Sequence, residues 1–368
     1  MNVDINPVSD RNSSLSARKP YSFYIELMPH VKKSVNVTNS MPLGSSFLPI
    51  GMLPFGSRAR VTLVAVGGSA VALLLLVLWR RRQSHQAMVT AESAASQPRA
   101  MPHAHIISLA RLKAARAAVL ARAAKAGLSS VSIFEAVDGR ELNAAELARL
   151  GAATYAGWQL TGTGFRFFDR ELKWGEVGCA LSHVGVWTLV AAQADVALVL
   201  EDDVDFAPDF ADRLRAVLNE IAALVAVGAT AEPDAIYLGR RAMRPEHDKL
   251  LPRACQCASD REAMPPSCPT RLLVPGFSYK TTAYLLWPRG ARKLLASGYA
   301  QKIIPVDDFL ALTYSEKHEA KEGVARPDLD ALFAQAPRIQ MLAVRPQLCW
   351  ERRGISSTEN SKLITDES

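Results

Sequence analysis

Four carboxylates crowd into five residues at Glu201-Asp202-Asp203-Val204-Asp205, directly after the apolar run VALVL (196–200). At low dielectric such neighbours repel, and each disfavours ionisation of the next. A divalent cation neutralises them. Oxygen ligands of this kind suit Mn or Mg, and the ion can bridge onward to a diphosphate. The plainer alternative is a solvated acidic turn that caps the following helix; the position after a buried strand favours the cation. A second acidic pair, Asp307-Asp308, closes the run IIPV (303–306). A carboxylate held there is suited to taking a proton from a hydroxyl. The alternative is that the pair caps a helix over 308–317.

These groups need a scaffold, and the flanking sequence supplies one. Short apolar runs at 105–109, 131–137, 196–200 and 235–239 read as strands. Between them lie helical stretches at 111–126, 141–151, about 176–193 and about 208–227. Gly127 ends the first helix, and Asn143 is the candidate N-cap of the second. Alternation of this kind predicts an α/β domain of Rossmann-like form, a mixed, mostly parallel sheet with flanking helices. In such sheets ligands bind at the carboxyl ends of strands, which is where the Glu201–Asp205 segment falls. Tyr237, Tyr284 and Trp287 read as core.

The chain has 368 residues and a formal net charge of +7. No run of Lys and Arg suggests a nucleic-acid surface, so no nucleic-acid partner is expected. The mild basic excess suits an anionic nucleotide substrate. Residues 61–79, VTLVAVGGSAVALLLLVLW, carry no charge and are followed by Arg80-Arg81-Arg82. As a helix they span about 28 Å, close to a bilayer core. One N-terminal transmembrane helix is therefore expected within an anchor at 58–82. It follows a disordered tail at 1–57 and precedes a stem at 83–103. The folded domain is expected at 104–360, with a tail at 361–368. Of five cysteines, Cys255, Cys257 and Cys268 share a Pro-rich stretch; either unpaired thiols or a Cys257–Cys268 disulfide fits there.

Taken in order, the pieces IISLAR (106–111), EAVDG (135–139), GEVGCALSH (175–183), LVLEDDVDF (198–206), AIYLGRRAMRPEH (235–247), TTAYLLWPRGARKLL (281–295) and IIPVDDFL (303–310) resemble glycosyltransferase family 25. The likeness is greatest to the catalytic domain of procollagen galactosyltransferases and covers about 250 residues. It implies the GT-A fold, Mn2+ as metal (Mg2+ as substitute), UDP-galactose as donor and transfer with inversion. The implied acceptor is hydroxylysine of a collagen-like protein; another glycan or glycolipid, as in lipooligosaccharide enzymes, is the alternative. A further alternative is a GT-A protein that binds partners without catalysis. Departures exist. Ser108 stands where the family commonly has Asn, residues 254–270 look inserted, and the chain ends ITDES rather than in an ER-retention tetrapeptide.

The resemblance assigns roles residue by residue. Asp203 and Asp205 are the expected metal ligands, and DxD spacing puts both on one side of an extended segment. Glu201 and Asp202 would face uridine, ribose or metal-bound water, or serve loop hydrogen bonding. Asp307 is the expected base and Asp308 the substitute. His183 would contact the donor or serve the structure. Glu176 would bind donor or oppose the helix dipole. Arg111 would meet nucleotide or pair with an acid, and Arg240 would neutralise phosphate or belong to a solvated basic turn. The implied home is the endoplasmic reticulum or Golgi membrane with the catalytic domain lumenal, although the arginines after the apolar run favour a cytoplasmic C-terminus. In a cell that N-glycosylates, the sequons at Asn12 and Asn36 are expected to stay unmodified. Glycan on either would put the N-terminus in the lumen and reverse this orientation.

Overall fold

The structure, a computed structural model, describes residues 100–162, 166–252, 270–319 and 325–352. The expected anchor, both tails, the stem up to residue 99 and Cys255, Cys257 and Cys268 lie outside the described residues, and the last expected stem residue, His103, opens the first strand. Among those described, no helix is long and apolar enough to cross a membrane.

An eight-stranded sheet forms the centre. In chain order its strands are β1 (His103–Ser108), β2 (Val131–Glu135), β3 (Ala197–Glu201), β5 (Ala235–Ala242), β6 (Lys249–Leu250), β7 (Arg271–Val274), β8 (Ser278–Leu286) and β9 (Met341–Arg345). In space they run β2-β1-β3-β8-β5-β9-β7-β6. Strand β8 is antiparallel to both β3 and β5, and β7 is antiparallel to both β9 and β6. The other pairings are parallel, so all strands but β7 and β8 point one way. A separate antiparallel pair, β4 (Val204–Phe206) with β10 (Cys349–Glu351), stands at the end of β3.

Every central strand is buried on both faces, and its side chains alternate between two cores. Ala197, Val199, Tyr237, Tyr284 and Leu286 enter one; Leu198, Leu200, Ile236, Leu238 and Leu285 enter the other. This is the period-two rule with no polar face. Helices α3 (Trp174–Ala191), α5 (Pro288–Ala296) and α6 (Val306–Leu312) cover the first face. Helices α1 (Lys113–Lys125) and α4 (Phe210–Ala226) cover the second. Two short helices, α2 (Ala144–Arg149) and α7 (Pro327–Leu332), complete the set. Asn143 caps α2 as expected, accepting from the Glu146 N–H at 2.8 Å.

Several boundaries moved. The first strand starts earlier and α1 later, which leaves Arg111 in the connecting turn. The strand expected over 131–137 ends at Glu135, because residues 139–141 form a 3-10 turn capped by Asp138. The helix expected over 308–317 runs only from Val306 to Leu312. Tyr237 and Tyr284 are core residues as expected, 1% and 0% exposed.

Two glycines set the approach of chain to chain. A Cβ on Gly239 would lie 2.6 Å from the Cys349 carbonyl oxygen, so β10 crosses β5 only because that side chain is missing. A Cβ on Gly178 would lie 2.6 Å from the Val137 carbonyl oxygen. One turn later the Ser182 hydroxyl accepts from the Val137 N–H at 2.9 Å. Together they dock the β2 exit loop against α3, which explains the spacing of Gly and Ser in GEVGCALSH. Gly178→Ala is expected to lower unfolding free energy by about 1–3 kcal/mol, the usual range for overpacking. Urea titration followed by circular dichroism measures it; an unchanged midpoint would contradict this packing.

Candidate active site

The acidic loop is built where β3 leaves the sheet, and its backbone is held from two sides. From α1, Arg122 donates Nη2–H to the Asp202 carbonyl at 2.7 Å and Nε–H to the Val204 carbonyl at 2.8 Å. From beyond β10, the Arg352 N–H donates to the Asp203 carbonyl at 2.9 Å. Each acid then has its own surroundings. Glu201 accepts from the Thr281 hydroxyl at 2.6 Å and lies 3.5 Å from His183 Nε2. Burial pushes its pKa up, but His183, Thr281 and Lys280 outweigh this and leave it below the ordinary value. Asp202 accepts from the Ser108 hydroxyl at 2.5 Å, yet burial leaves its pKa raised.

Asp203 is the least comfortable of the four. Its Oδ1 is buried and has no hydrogen-bond partner. Burial, then the charges of Glu201, Glu351 and Asp202, push its pKa up to about 8, with Lys280 working the other way. A buried carboxylate oxygen without a donor is costly, and a cation relieves both the desolvation and the repulsion. Asp205 lies two residues on, in β4, opposite Trp350 of β10, and accepts from the Phe206 N–H at 3.2 Å. The oxygen-rich pair at Asp203 and Asp205 therefore fits a hard divalent ion of the Mn or Mg kind, which takes one or two carboxylates and fills its remaining positions with water and phosphate.

Asp307 and Asp308 occupy the first turn of α6, after Pro305, and their surroundings differ sharply. Asp308 is buried, with His318 Nε2 at 2.8 Å and the Tyr279 hydroxyl also bonded to it. It is closed off from a substrate. Asp307 remains partly exposed. Among the described residues it accepts only from backbone N–H groups, that of Asp308 at 3.1 Å and that of Lys280 at 3.4 Å. Burial and the Asp308 charge push its pKa up to about 7, against Lys280. A carboxylate tuned to neutrality is what a proton acceptor needs at physiological pH.

Lys280 links these acids. It has φ of 78°, in the left-handed region, although it is neither glycine nor at a turn. Its Nζ lies 2.9 Å from Glu351. Burial would depress its pKa, but Glu351, Asp307 and Glu201 outweigh that and raise it. Strained backbone of this sort concentrates at functional sites. Lys280, Thr281, Glu351 and His318 were not singled out by sequence reasoning. Nothing in the local sequence marks them, since each reaches the site through strand pairing or loop packing.

Other expected donor contacts go elsewhere. Arg111 pairs with Asp138. Glu176 pairs with Arg170 at 2.6 Å and accepts from the Lys173 N–H at 2.8 Å, so it closes the start of α3. Arg240, 6% exposed, is committed to Asp248 at 2.5 Å and the Ser278 hydroxyl at 2.6 Å. Ion pairing holds all three, and among the described residues none of them hydrogen-bonds to the acidic loop. His183 lies directly behind that loop, wholly buried, with Nδ1 2.8 Å from the Tyr284 hydroxyl.

Comparison with known proteins follows the same lines. The model of "Glycosyltransferase family 25 (LPS biosynthesis protein)" matches residues 101–310. The human "Inactive glycosyltransferase 25 family member 3" is 34% identical over 266 residues, 72% of this chain and 40% of that one. The "Glycosyltransferase 25 family member" of Drosophila melanogaster is 31% identical over 239 residues, 64% of this chain and 34% of that one. "Procollagen galactosyltransferase 1" of Danio rerio is 32% identical over 241 residues, 64% of this chain and 35% of that one. A glycosyltransferase domain is thus the class that sequence and fold define. The chain belongs to glycosyltransferase family 25, and it spans about two fifths of the length of the first of these relatives.

Asp307 also makes a stability prediction. Its folded pKa is about 7 against an ordinary 3.8. The folded state therefore binds the proton more tightly than the unfolded chain, and stability is lost as pH rises from the ordinary value through about 7. Asp307→Asn is expected to raise Tm at pH 8 and change it little at pH 4. An equal shift at both values would contradict the burial of this charge.

Proposed function

We propose that this chain is a metal-dependent inverting transferase that moves galactose from UDP-galactose to hydroxylysine of a collagen-like protein, on a GT-A fold. The observation that carries the reading is the buried, unpartnered Asp203 oxygen together with a carboxylate, Asp307, tuned to neutral pH, both under the charges of Lys280 and Glu201. One is arranged for a cation and the other for a proton.

Asp203 and Asp205 would hold Mn2+, or Mg2+ in its place. When bound, the ion offsets charge on the departing diphosphate. Glu201 and Asp202 do not bind it in this reading. Thr281 and Ser108 fix them as the walls behind the loop. Asp307 receives the acceptor's proton as the hydroxyl oxygen attacks the anomeric carbon. The carbon–oxygen bond to the diphosphate breaks, its electron pair leaves with UDP, and attack from the opposite face inverts the centre. Lys280 counters the charge of Asp203 and Asp307 throughout, and Asp308, locked by His318 and Tyr279, fixes the turn that carries Asp307. The galactose donor and collagen-like acceptor rest on resemblance to enzymes such as the zebrafish procollagen galactosyltransferase. The family description favours a glycolipid acceptor as the alternative. Membrane anchoring through 58–82 and a lumenal site in the endoplasmic reticulum or Golgi belong to the same reading.

Similarity to the human inactive family member favours a second reading, a domain that binds without transferring. The two separate on turnover. The full chain with Mn2+, a panel of UDP-sugars and a hydroxylysine-bearing collagen peptide is expected to yield β-galactosyl product. Asp307→Asn should lower turnover at least about a hundredfold while leaving UDP binding nearly intact. The wild-type rate should climb with pH through about 7 as Asp307 ionises. Sugar hydrolysis without peptide product would keep the class and discard the acceptor. UDP binding with neither reaction would establish the second reading.

A further inference from the structure

A different set of metal-capable atoms lies behind the acidic loop. Cys179 and His183 are one turn apart on α3, so both side chains share a face. That face meets Glu201 at the end of β3. The Cys179 sulfur, a His183 ring nitrogen and a Glu201 carboxylate oxygen all lie within 4.8 Å of one another. The His183 Nε2 to Glu201 Oε1 distance is 3.5 Å. Ligands around a tetrahedral zinc, at about 2.0–2.3 Å from the ion, stand roughly 3.3–3.8 Å apart. The His183 nitrogen and Glu201 oxygen are already at that spacing, and the Cys179 sulfur lies within 4.8 Å of the other two ligand atoms.

The decisive atom is His183 Nε2. It is wholly buried and has no hydrogen-bond partner, an arrangement that is rare because it is costly. At 3.5 Å, Glu201 is too far for a good bond. The ring cannot turn away to find a better one. Its Nδ1 lies 2.8 Å from the Tyr284 hydroxyl, which in turn accepts from the Trp187 indole N–H at 2.9 Å. The ring also stacks on Tyr284, with centroids 5.8 Å apart. A hydroxyl donates or accepts, so Tyr284 can receive Nδ1–H and leave the Nε2 lone pair free. Glu201 is fixed likewise by Thr281 at 2.6 Å. Metal-binding side chains are characteristically braced from behind in this way.

We propose that Cys179, His183 and Glu201 form a binding site for zinc or a similar borderline-soft divalent ion, distinct from the Asp203–Asp205 pair. Sulfur and imidazole select zinc-like ions over Mn and Mg, which prefer oxygen. Three protein ligands leave one coordination position. Cys179 and Glu201 are partly exposed while His183 is not, so that position faces outward, for water or a small anion. The thiol proton passes to solvent on binding. Such an ion would pin α3 to the tail of β3 and fix the first residue of the acidic loop. None of this requires that the chain transfer sugar, so it stands or falls separately from the transferase reading.

Cobalt is the probe, since it replaces zinc and reports sulfur ligation in its spectrum. Full-length chain stripped with chelator is titrated with Co2+. The expected result is stoichiometric uptake with a thiolate-to-cobalt charge-transfer band. Zn2+ abolishes the band and excess Mn2+ does not. Asp205→Asn keeps it, Cys179→Ser removes it, and Tyr284→Phe weakens cobalt binding about 10–100-fold, with folding of each variant followed by circular dichroism. A check on the unaltered chain is alkylation by iodoacetamide mapped by mass spectrometry, in which Zn2+ but not Mn2+ should protect Cys179. Folded wild-type chain that gives no thiolate band, or alkylation of Cys179 that Zn2+ leaves unchanged, overturns the proposal.

Discussion

Asp203 sits where a carboxylate is hardest to ionise, and the domain is arranged around that difficulty. Its oxygen is buried, three other carboxylates bear on it, and one lysine opposes them. The loop cannot relax away from this strain. Arg122 grips two of its carbonyls from α1, Arg352 grips a third, and β10 pins Val204–Phe206 in a ladder. Gly239 lets β10 come close enough to do so. Repulsion is thereby held in place rather than discharged, and the proposed cation site rests on that arrangement.

The same logic runs through Lys280. It stands in β8, the antiparallel strand inserted between β3 and β5. Register irregularities in β5 opposite the start of β8, and a left-handed backbone at Lys280 itself, mark the place where that strand bends. The bend puts the Lys280 N–H on Asp307 and the Thr281 hydroxyl on Glu201. One irregular strand thus ties the loop after β3 to the turn that opens α6. Without it, Asp203 and Asp307 would belong to separate parts of the molecule.

Much of this was legible in the sequence, and the exceptions have physical causes. The VALVL run followed by acids located the end of β3 and the loop, because a doubly buried strand leaves an unbroken apolar signal. Asn143 announced its cap. The direction of β8 was not legible, since a strand buried on both faces has the same composition whether parallel or antiparallel. Of the expected site residues, Glu201, Asp202, Asp203, Asp205, Asp307 and His183 are gathered around the loop. Arg111, Glu176 and Arg240 are not. A charged residue after a strand or in a first helical turn looks alike whether it awaits a ligand or already has a partner that only folding brings to it, and Asp248 and Asp138 are such partners. Ser108, which departs from the expected Asn, proves to hold Asp202.

Membership of family 25 fixes the class; the proposed ion rests on the chemistry of the cluster, and the proposed donor and acceptor rest on resemblance. The most direct test of that chemistry is calorimetric titration of UDP into the full chain, with Mn2+ and then with chelator. The account predicts binding that needs Mn2+ and is lost in Asp203→Asn. UDP that binds equally well in chelator would contradict it.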